Sequence, residues 1–435
     1  MNIDSSLVDR DAETLHSSTK AWVVVLVASL FFFYEFIQMN MFNTISDTLI
    51  DVFSLTGLQL GILSSTYFIS NVVFLFVAGI LLDRCATRNI ILLALAICVF
   101  GTATFSFSTS FEGAALSRFL TGIGSAFCFL SVIRLATRWF PPRHMALVTG
   151  VVITVAMIGG MVSQTPLTLL VNSVGWRHAL LLDAAFGGVI FLLIAMIVQD
   201  YPKDHAKVHE LELKVIHEIG YWKSLRMAFL RIQNWLGGIY TSCMNLPINV
   251  LGGLWGVLYV TKTYGISKVY ASSITMMLFL GAIIGCPLAG WISDSMGRRK
   301  PVMIIGALVA LGVVLILVCD ARLSFVACIL LFLLLGIVSG AQVIGYPLVA
   351  EGSRRVVTAM SVSVVNITTI AGIGLIQSLF GRIVDIEVTH RLHHFSSNFI
   401  AADFSWAMWL FPLGNIIALI AACIVKETYC HQRIK

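Results

Sequence analysis

Twelve apolar runs, each long enough to cross a bilayer, leave this chain few folds to choose from. They lie near 21–42, 58–82, 89–107, 113–137, 145–170, 178–198, 235–260, 271–293, 301–319, 324–348, 357–381 and 404–425, and a helix of about 20 apolar residues spans the hydrocarbon core. Because lipid offers backbone N–H and C=O groups no partner, segments of this length must close their hydrogen bonds internally, as helices. Composition agrees: charged residues make up 11% of the chain and hydrophobic ones 58%, whereas a soluble domain carries about 25% charged residues. The expectation is an all-α membrane protein with twelve transmembrane helices.

A repeated loop divides the runs six and six. Gly290-Trp-Ile-Ser-Asp294-Ser-Met-Gly297-Arg298-Arg299-Lys300 has a reduced copy 211 positions earlier, Gly79-Ile-Leu-Leu-Asp83-Arg84-Cys-Ala86-Thr87-Arg88, and Phe53 and Thr56 match Tyr264 and Ser267 at the same offset. An internal repeat of this kind fixes architecture before finer features are assigned. It predicts two pseudo-symmetric six-helix bundles, 1–199 and 235–435, joined by a linker over 200–234. Within that linker Val208, Leu211, Val215 and Ile219 form an apolar stripe at helical spacing, which predicts an amphipathic helix lying on the membrane face.

Lys and Arg gather on one side of the runs. Apart from Arg118 and Arg134 within spans, only Arg177, Lys262, Lys268, Arg322, Arg382 and Arg391 fall on the side opposite the repeated loops. Cations mark the cytoplasmic side of short loops, so both loops, the linker and both termini are expected in the cytoplasm. The net charge of +6 then reflects topology and not nucleic-acid binding. The first 20 residues are polar and carry Asp4, Asp11 and Glu13, unlike the basic start of a cleavable signal, which predicts a retained first span. Cysteines without CxxC spacing and an Asn366-Ile-Thr368 triplet inside a span are compatible with a bacterial inner membrane, the expected location.

The repeated loop resembles the signature of the major facilitator superfamily, Gly-x-x-x-Asp-Arg/Lys-x-Gly-Arg-Arg/Lys between the second and third helices of each half. The second copy is the fuller; the first has Ala86 and Thr87 where a glycine and a cation are expected. The stretch Gly252-Gly-Leu-Trp-Gly-Val-Leu-Tyr-Val-Thr-Lys-Thr-Tyr-Gly265 is similar to bacterial members used for nutrient uptake by intracellular pathogens. The resemblance implies a secondary transporter working by alternating access, with its solute site near the midplane and spans one, four, seven and ten around the cavity. It also implies that Asp83, Arg84, Arg88, Asp294, Arg298 and Arg299 act in gating.

Ions at membrane depth are expensive and usually functional. Glu35 in the first span and Arg118, which opens Arg118-Phe-Leu-Thr-Gly122 in the fourth, stand at similar depth and are the candidates for proton coupling, paired across the cavity. Tyr34 and Gln38 flank Glu35. Thr241, Asn245 and Asn249 in span seven, and Ser339, Gln342 and Tyr346 in span ten, make uncharged polar stripes; Tyr34, Gln38, Asn245, Asn249, Gln342 and Tyr346 are the candidate solute contacts. Asp183 in span six is expected to pair with Arg177 or His178.

Other chemistries find no support. The glycine-rich stretches lack the Lys-Ser/Thr ending of a phosphate loop, the cysteines show no CxxC spacing, and His390, His393 and His394 read as a solvated loop more than a metal site. No catalytic constellation, cofactor or metal is expected. Span five has Val155-Ala156 where drug antiporters of the family carry Gly-Pro, which counts against efflux. The expected function is proton-coupled uptake of a small polar solute, an amino acid or nucleoside, by a monomer. The alternatives are a carboxylate-rich metabolite or siderophore held by Arg118, a drug antiporter, and a sensor of the same fold that does not transport.

Overall fold

The computed structural model describes residues 19–140, 144–201, 226–319, 323–353, 358–392 and 399–430. Among these, twelve helices are long and apolar enough to cross a membrane. They are α1 (Thr19–Phe53), α2 (Gly57–Gly79), α3 (Thr87–Phe107), α4 (Phe111–Trp139), α5 (Leu147–Val174) and α6 (Trp176–Ile197), followed by α7 (Ile232–Tyr264), α8 (Lys268–Met296), α9 (Lys300–Cys319), α10 (Phe325–Gly352), α11 (Met360–Leu392) and α12 (Ala401–Ile424). Side chains such as Leu93, Phe100 and Met196 stand exposed on the outside of the bundle, as lipid-facing residues do. The linker stripe at 208–219 lies outside the described residues, as do His393 and His394.

Packing repeats between the halves. In the first, α1 packs on α5, α2 on α4 and α3 on α6; in the second, α7 packs on α11, α8 on α10 and α9 on α12. The halves meet where α2 faces α11 and α5 faces α8, pairs related by the same pseudo-symmetry. Backbone conformation repeats as well. The turn after α1 places Ser54 at φ 51°, and its counterpart Gly265 after α7 has φ 64°.

Several helices depart from straight spans. α1 breaks at Met41 and resumes over Phe42–Phe53, well past the 21–42 read from hydropathy, because Asp47 and Asp51 dilute that segment's apolar character. α7 contains a π-helical stretch over Pro247–Trp255, where a proline without an N–H and the Gly252-Gly253 pair weaken the regular ladder. α11 continues to Leu392, well past 381, carrying Asp385 into the bundle.

The two repeated loops are built by one device with different parts. Glu427, just after α12, accepts from the backbone N–H of Arg299 and Lys300 at 2.9 Å each and so caps α9. Asp200, just after α6, accepts from Arg88 N–H at 3.0 Å and caps α3. Burial alone would raise the Glu427 carboxyl, but backbone N–H bonds from Arg299, Lys300, Tyr429 and Thr428 outweigh it and hold the group below its ordinary range. Gly297 ends α8 in the left-handed region at φ 61°. Its counterpart Ala86 has φ −58°, so the first loop turns without a left-handed residue.

Candidate functional site

Arg118 and Gly122 sit one turn apart on α4, and the glycine decides what reaches the cation. A Cβ on Gly122 would collide with Ser70 and with the Tyr67 carbonyl oxygen, so α2 approaches α4 as it does only because this residue has no side chain. The approach lays the Tyr67 ring 4.6 Å from the Arg118 guanidinium carbon; Phe42 covers it from another side at 4.4 Å. Such cation–π contacts offset part of the cost of desolvating a buried guanidinium. Arg118 Nη1 donates to the Gln38 carbonyl at 2.9 Å, just before the break in α1.

Glu35 and Arg118 are not a direct ion pair, contrary to the pairing read from their depth. Tyr67 stands between them, its hydroxyl donating to Glu35 Oε1 while its ring stacks on Arg118. Tyr67 meets Phe68 edge to face and shares an apolar cluster with Phe68, Met39, Ile370 and Ile373, the last two belonging to α11. The Glu35–Tyr67–Arg118 cluster therefore touches the other half of the molecule. Glu35 Oε2 and Arg118 Nε and Nη2 are buried without a hydrogen-bond partner among the described residues, a rare condition for native polar atoms.

The other candidates fall into two groups. Tyr34 and Gln38 are fully buried inside the first half. Tyr34 packs on Gly187 of α6; Gln38 donates through Nε2 to Asp183 and accepts from Thr102 Oγ1 at 2.8 Å. Asp183 thus pairs with Gln38, while Arg177 donates to the Ser108 carbonyl at 2.8 Å. In the second half Thr241 Oγ1 donates to the Gln342 carbonyl at 3.1 Å, joining α7 to α10. Asn249 Nδ2 donates to the Asn245 carbonyl at 3.2 Å, while Oδ1 of both asparagines and the Ser339 hydroxyl have no hydrogen-bond partner among the described residues. Gln342 is buried and Tyr346 half-buried.

The halves are sealed at the end far from the repeated loops. Asp385 of α11 accepts from the first two N–H groups of α2, Gly57 at 2.7 Å and Leu58 at 2.8 Å. Ser64 Oγ donates to Gln377 Oε1 at 2.7 Å and Ser65 Oγ to the Gly374 carbonyl at 2.6 Å. On the other flank Gln164 of α5 ties four helices together: its Oε1 accepts from Asn43 at 2.7 Å and Thr275 at 2.8 Å, and its Nε2 donates to the Gly252 carbonyl at 2.9 Å. Lys268 and Asp47 add an ion pair at 2.7 Å. Hydropathy could not single these residues out, because one polar residue in a span reads as a helix-joining contact until its partner is known.

At the loop end, the gating candidates knit each half to itself. Arg299 pairs with Asp294 at 2.5 Å and with Glu351 of α10 at 2.6 Å. Burial works against its charge, but the two carboxylates outweigh this and push the guanidinium above its ordinary range. Arg298 is exposed. Arg88 donates through Nη2 to the Ala195 carbonyl, and Arg138 reaches Asp200 at 3.2 Å. The side chains of Asp83 and Arg84 lie outside the described part.

The sequence profile of the Major Facilitator Superfamily matches residues 27–375. The chain is 24% identical over 326 residues to the "Probable hexose phosphate transport protein" of Chlamydia muridarum, covering 68% of this chain and 70% of that protein. It is 24% identical over 403 residues to the "Membrane sensor protein UhpC" of Salmonella typhimurium, covering 86% and 87%. Among solved structures, a bacterial homologue of the human lysosomal transporter Spinster, inward-facing and unoccupied, superposes with a TM-score of 0.74 at 16% identity over 95% of this chain and 97% of that one.

Proposed function

Because the chain belongs to the major facilitator superfamily, we propose that it moves a small polar organic solute by alternating access and couples that movement to protons at Glu35. The units that rock are residues 1–199 and 235–435, with 200–234 as the tether. The loop end and both termini face the cytoplasm of a bacterial inner membrane, since that end collects the cations, and the protein works as a monomer. The far-end seal then closes the outside, giving an inward-facing state like that named for the Spinster homologue.

One observation carries this reading: the buried Glu35–Tyr67–Arg118 cluster has unmet hydrogen-bonding capacity and sits against α11 of the opposite half. Parting α2 from α11 uncovers Tyr67 and, through it, Glu35. Protonation of Glu35 is thereby tied to which end is open. The uncharged stripes of α7 and α10 supply neutral hydrogen-bonding partners, which suits an amino acid or nucleoside. A second reading, an organic anion, is favoured by the two unpartnered donors of Arg118, a geometry suited to carboxylate or phosphate, and by the name of the Chlamydia relative.

Uptake of labelled solutes into energised vesicles, with and without a proton gradient, separates the readings. Glu35→Gln is expected to exchange solute at equal concentrations but not to accumulate it; accumulation at the wild-type level removes Glu35 from coupling. Arg118→Ala is expected to impair both assays. Solute binding without movement of any panel member would instead match a sensor.

A further inference from the structure

Where α8 turns into α9, a shallow cavity of about 540 Å³ opens at the edge of the bundle, lined by Arg298, Lys300, Pro301, Ile304, Ile305 and Tyr429, with Glu427 beside them. One wall is cationic. Among the described residues neither Arg298 nor Lys300 forms an ion pair; Lys300 Nζ donates to the Cys423 carbonyl at 2.8 Å, and the Glu427 carboxylate is engaged by the backbone N–H groups of Arg299 and Lys300. The other wall is apolar and open, with Ile305 and Tyr429 each 58% exposed. The cavity lies at the start of α9 and just past the end of α12.

The internal repeat shows that the loop does not need these charges to fold. Thr87 and Asn89 occupy the places of Arg298 and Lys300 in the first half, yet Asp200 caps α3 there as Glu427 caps α9. Two cations that form no ion pair among the described residues, above an exposed aliphatic strip, match an amphiphile with a negative head. We propose that this cavity holds the headgroup of an anionic phospholipid, its phosphate against Arg298 and Lys300 and an acyl chain along Ile304 and Ile305.

The test is binding of phosphatidylglycerol to the purified full-length protein in neutral detergent, followed by native mass spectrometry, with phosphatidylcholine and inorganic phosphate as parallel probes. Wild type is expected to retain phosphatidylglycerol over phosphatidylcholine, R298Q/K300Q to bind it about thirtyfold more weakly, and R298K/K300R to bind as wild type. A Lys426→Gln variant, which alters a neighbouring cation outside the cavity, is expected to bind normally. Equal binding by R298Q/K300Q, or phosphate competing with the lipid at millimolar concentration, overturns the proposal. Should R298Q/K300Q not fold, photoactivatable phosphatidylglycerol on wild type decides: crosslinks concentrated on 298–305 support the site, and crosslinks spread evenly over lipid-facing helices sink it.

Discussion

Gly122 and Ser54 show how single positions set the approach of α2 to α4 and the geometry of the turn after α1. Adding a methyl group in Gly122→Ala drives α2 from α4 and takes the Tyr67 ring off Arg118, so a loss of roughly 1 to 3 kcal/mol is expected from overpacking, seen as a lower melting temperature in detergent together with lost accumulation. An unchanged melting temperature would mean that the helices already have room. Ser54 holds a left-handed conformation in which glycine is at ease, so Ser54→Gly should stabilise the protein by roughly 0.5 to 1 kcal/mol; a lower melting temperature would contradict this. At this scale the sequence was partly legible. Glu35 and Arg118 stood out because ions are rare at that depth, and Gly122 because Arg118-Phe-Leu-Thr-Gly122 resembles the superfamily's Arg-x-x-x-Gly motif. Tyr67 did not, since a tyrosine in an apolar run looks like any other large side chain until a neighbouring helix supplies its carboxylate.

Among the elements, α9 depends on a residue more than a hundred positions away. The Glu427 carboxyl lies below its ordinary 4.5 in the folded protein, so its contribution is complete above about pH 4.5 and fades as pH falls through the lower, folded value. Wild type is therefore expected to melt above Glu427→Gln at neutral pH, with the gap narrowing once the pH falls below 4.5; a gap that does not narrow at all on acidification would show that the cap does not act through its charge. Helix existence was readable from hydropathy throughout, whereas ends were not. The apolar signal of the eleventh run fades before Asp385, yet the helix continues because that carboxylate finds the N–H groups of α2. The second segment of α1 was missed for a similar reason, as Asp47 is matched by Lys268 of the other half.

In the whole molecule, the free energy that separates the two access states proposed above must be held where the halves touch, and the contacts described at the far end are candidates to hold it. Asp385 is the most exacting of them. Its carboxylate takes two backbone N–H groups across the seam, and Gly57 and Gly381 pack so closely there that a Cβ on either would strike the other's backbone. Opening the far end gives both N–H groups back to water, so the state that closes it is favoured by the difference between these bonds and hydration. Net hydrogen bonds to charged groups contribute about 1.5 to 3 kcal/mol each, and 1.4 kcal/mol is a tenfold change in population. Asp385→Ala is thus expected to raise the population open at the far end by about tenfold or more. Spin labels at Asp51 and His390, exposed on opposite halves, placed in a background without the native cysteines, would report this as growth of a longer distance between them. The same labels should show a smaller change in Gln164→Ala, which loosens the α5–α8 flank and leaves the Asp385 cap in place. If the distance distribution of Asp385→Ala matches that of the parent, the carboxylate is an ordinary helix cap, and the closed state must be held by the remaining seam contacts: Ser64 with Gln377, Gln164 with Thr275 and the Gly252 carbonyl, Lys268 with Asp47, and the apolar cluster of Tyr67 and Phe68 with α11.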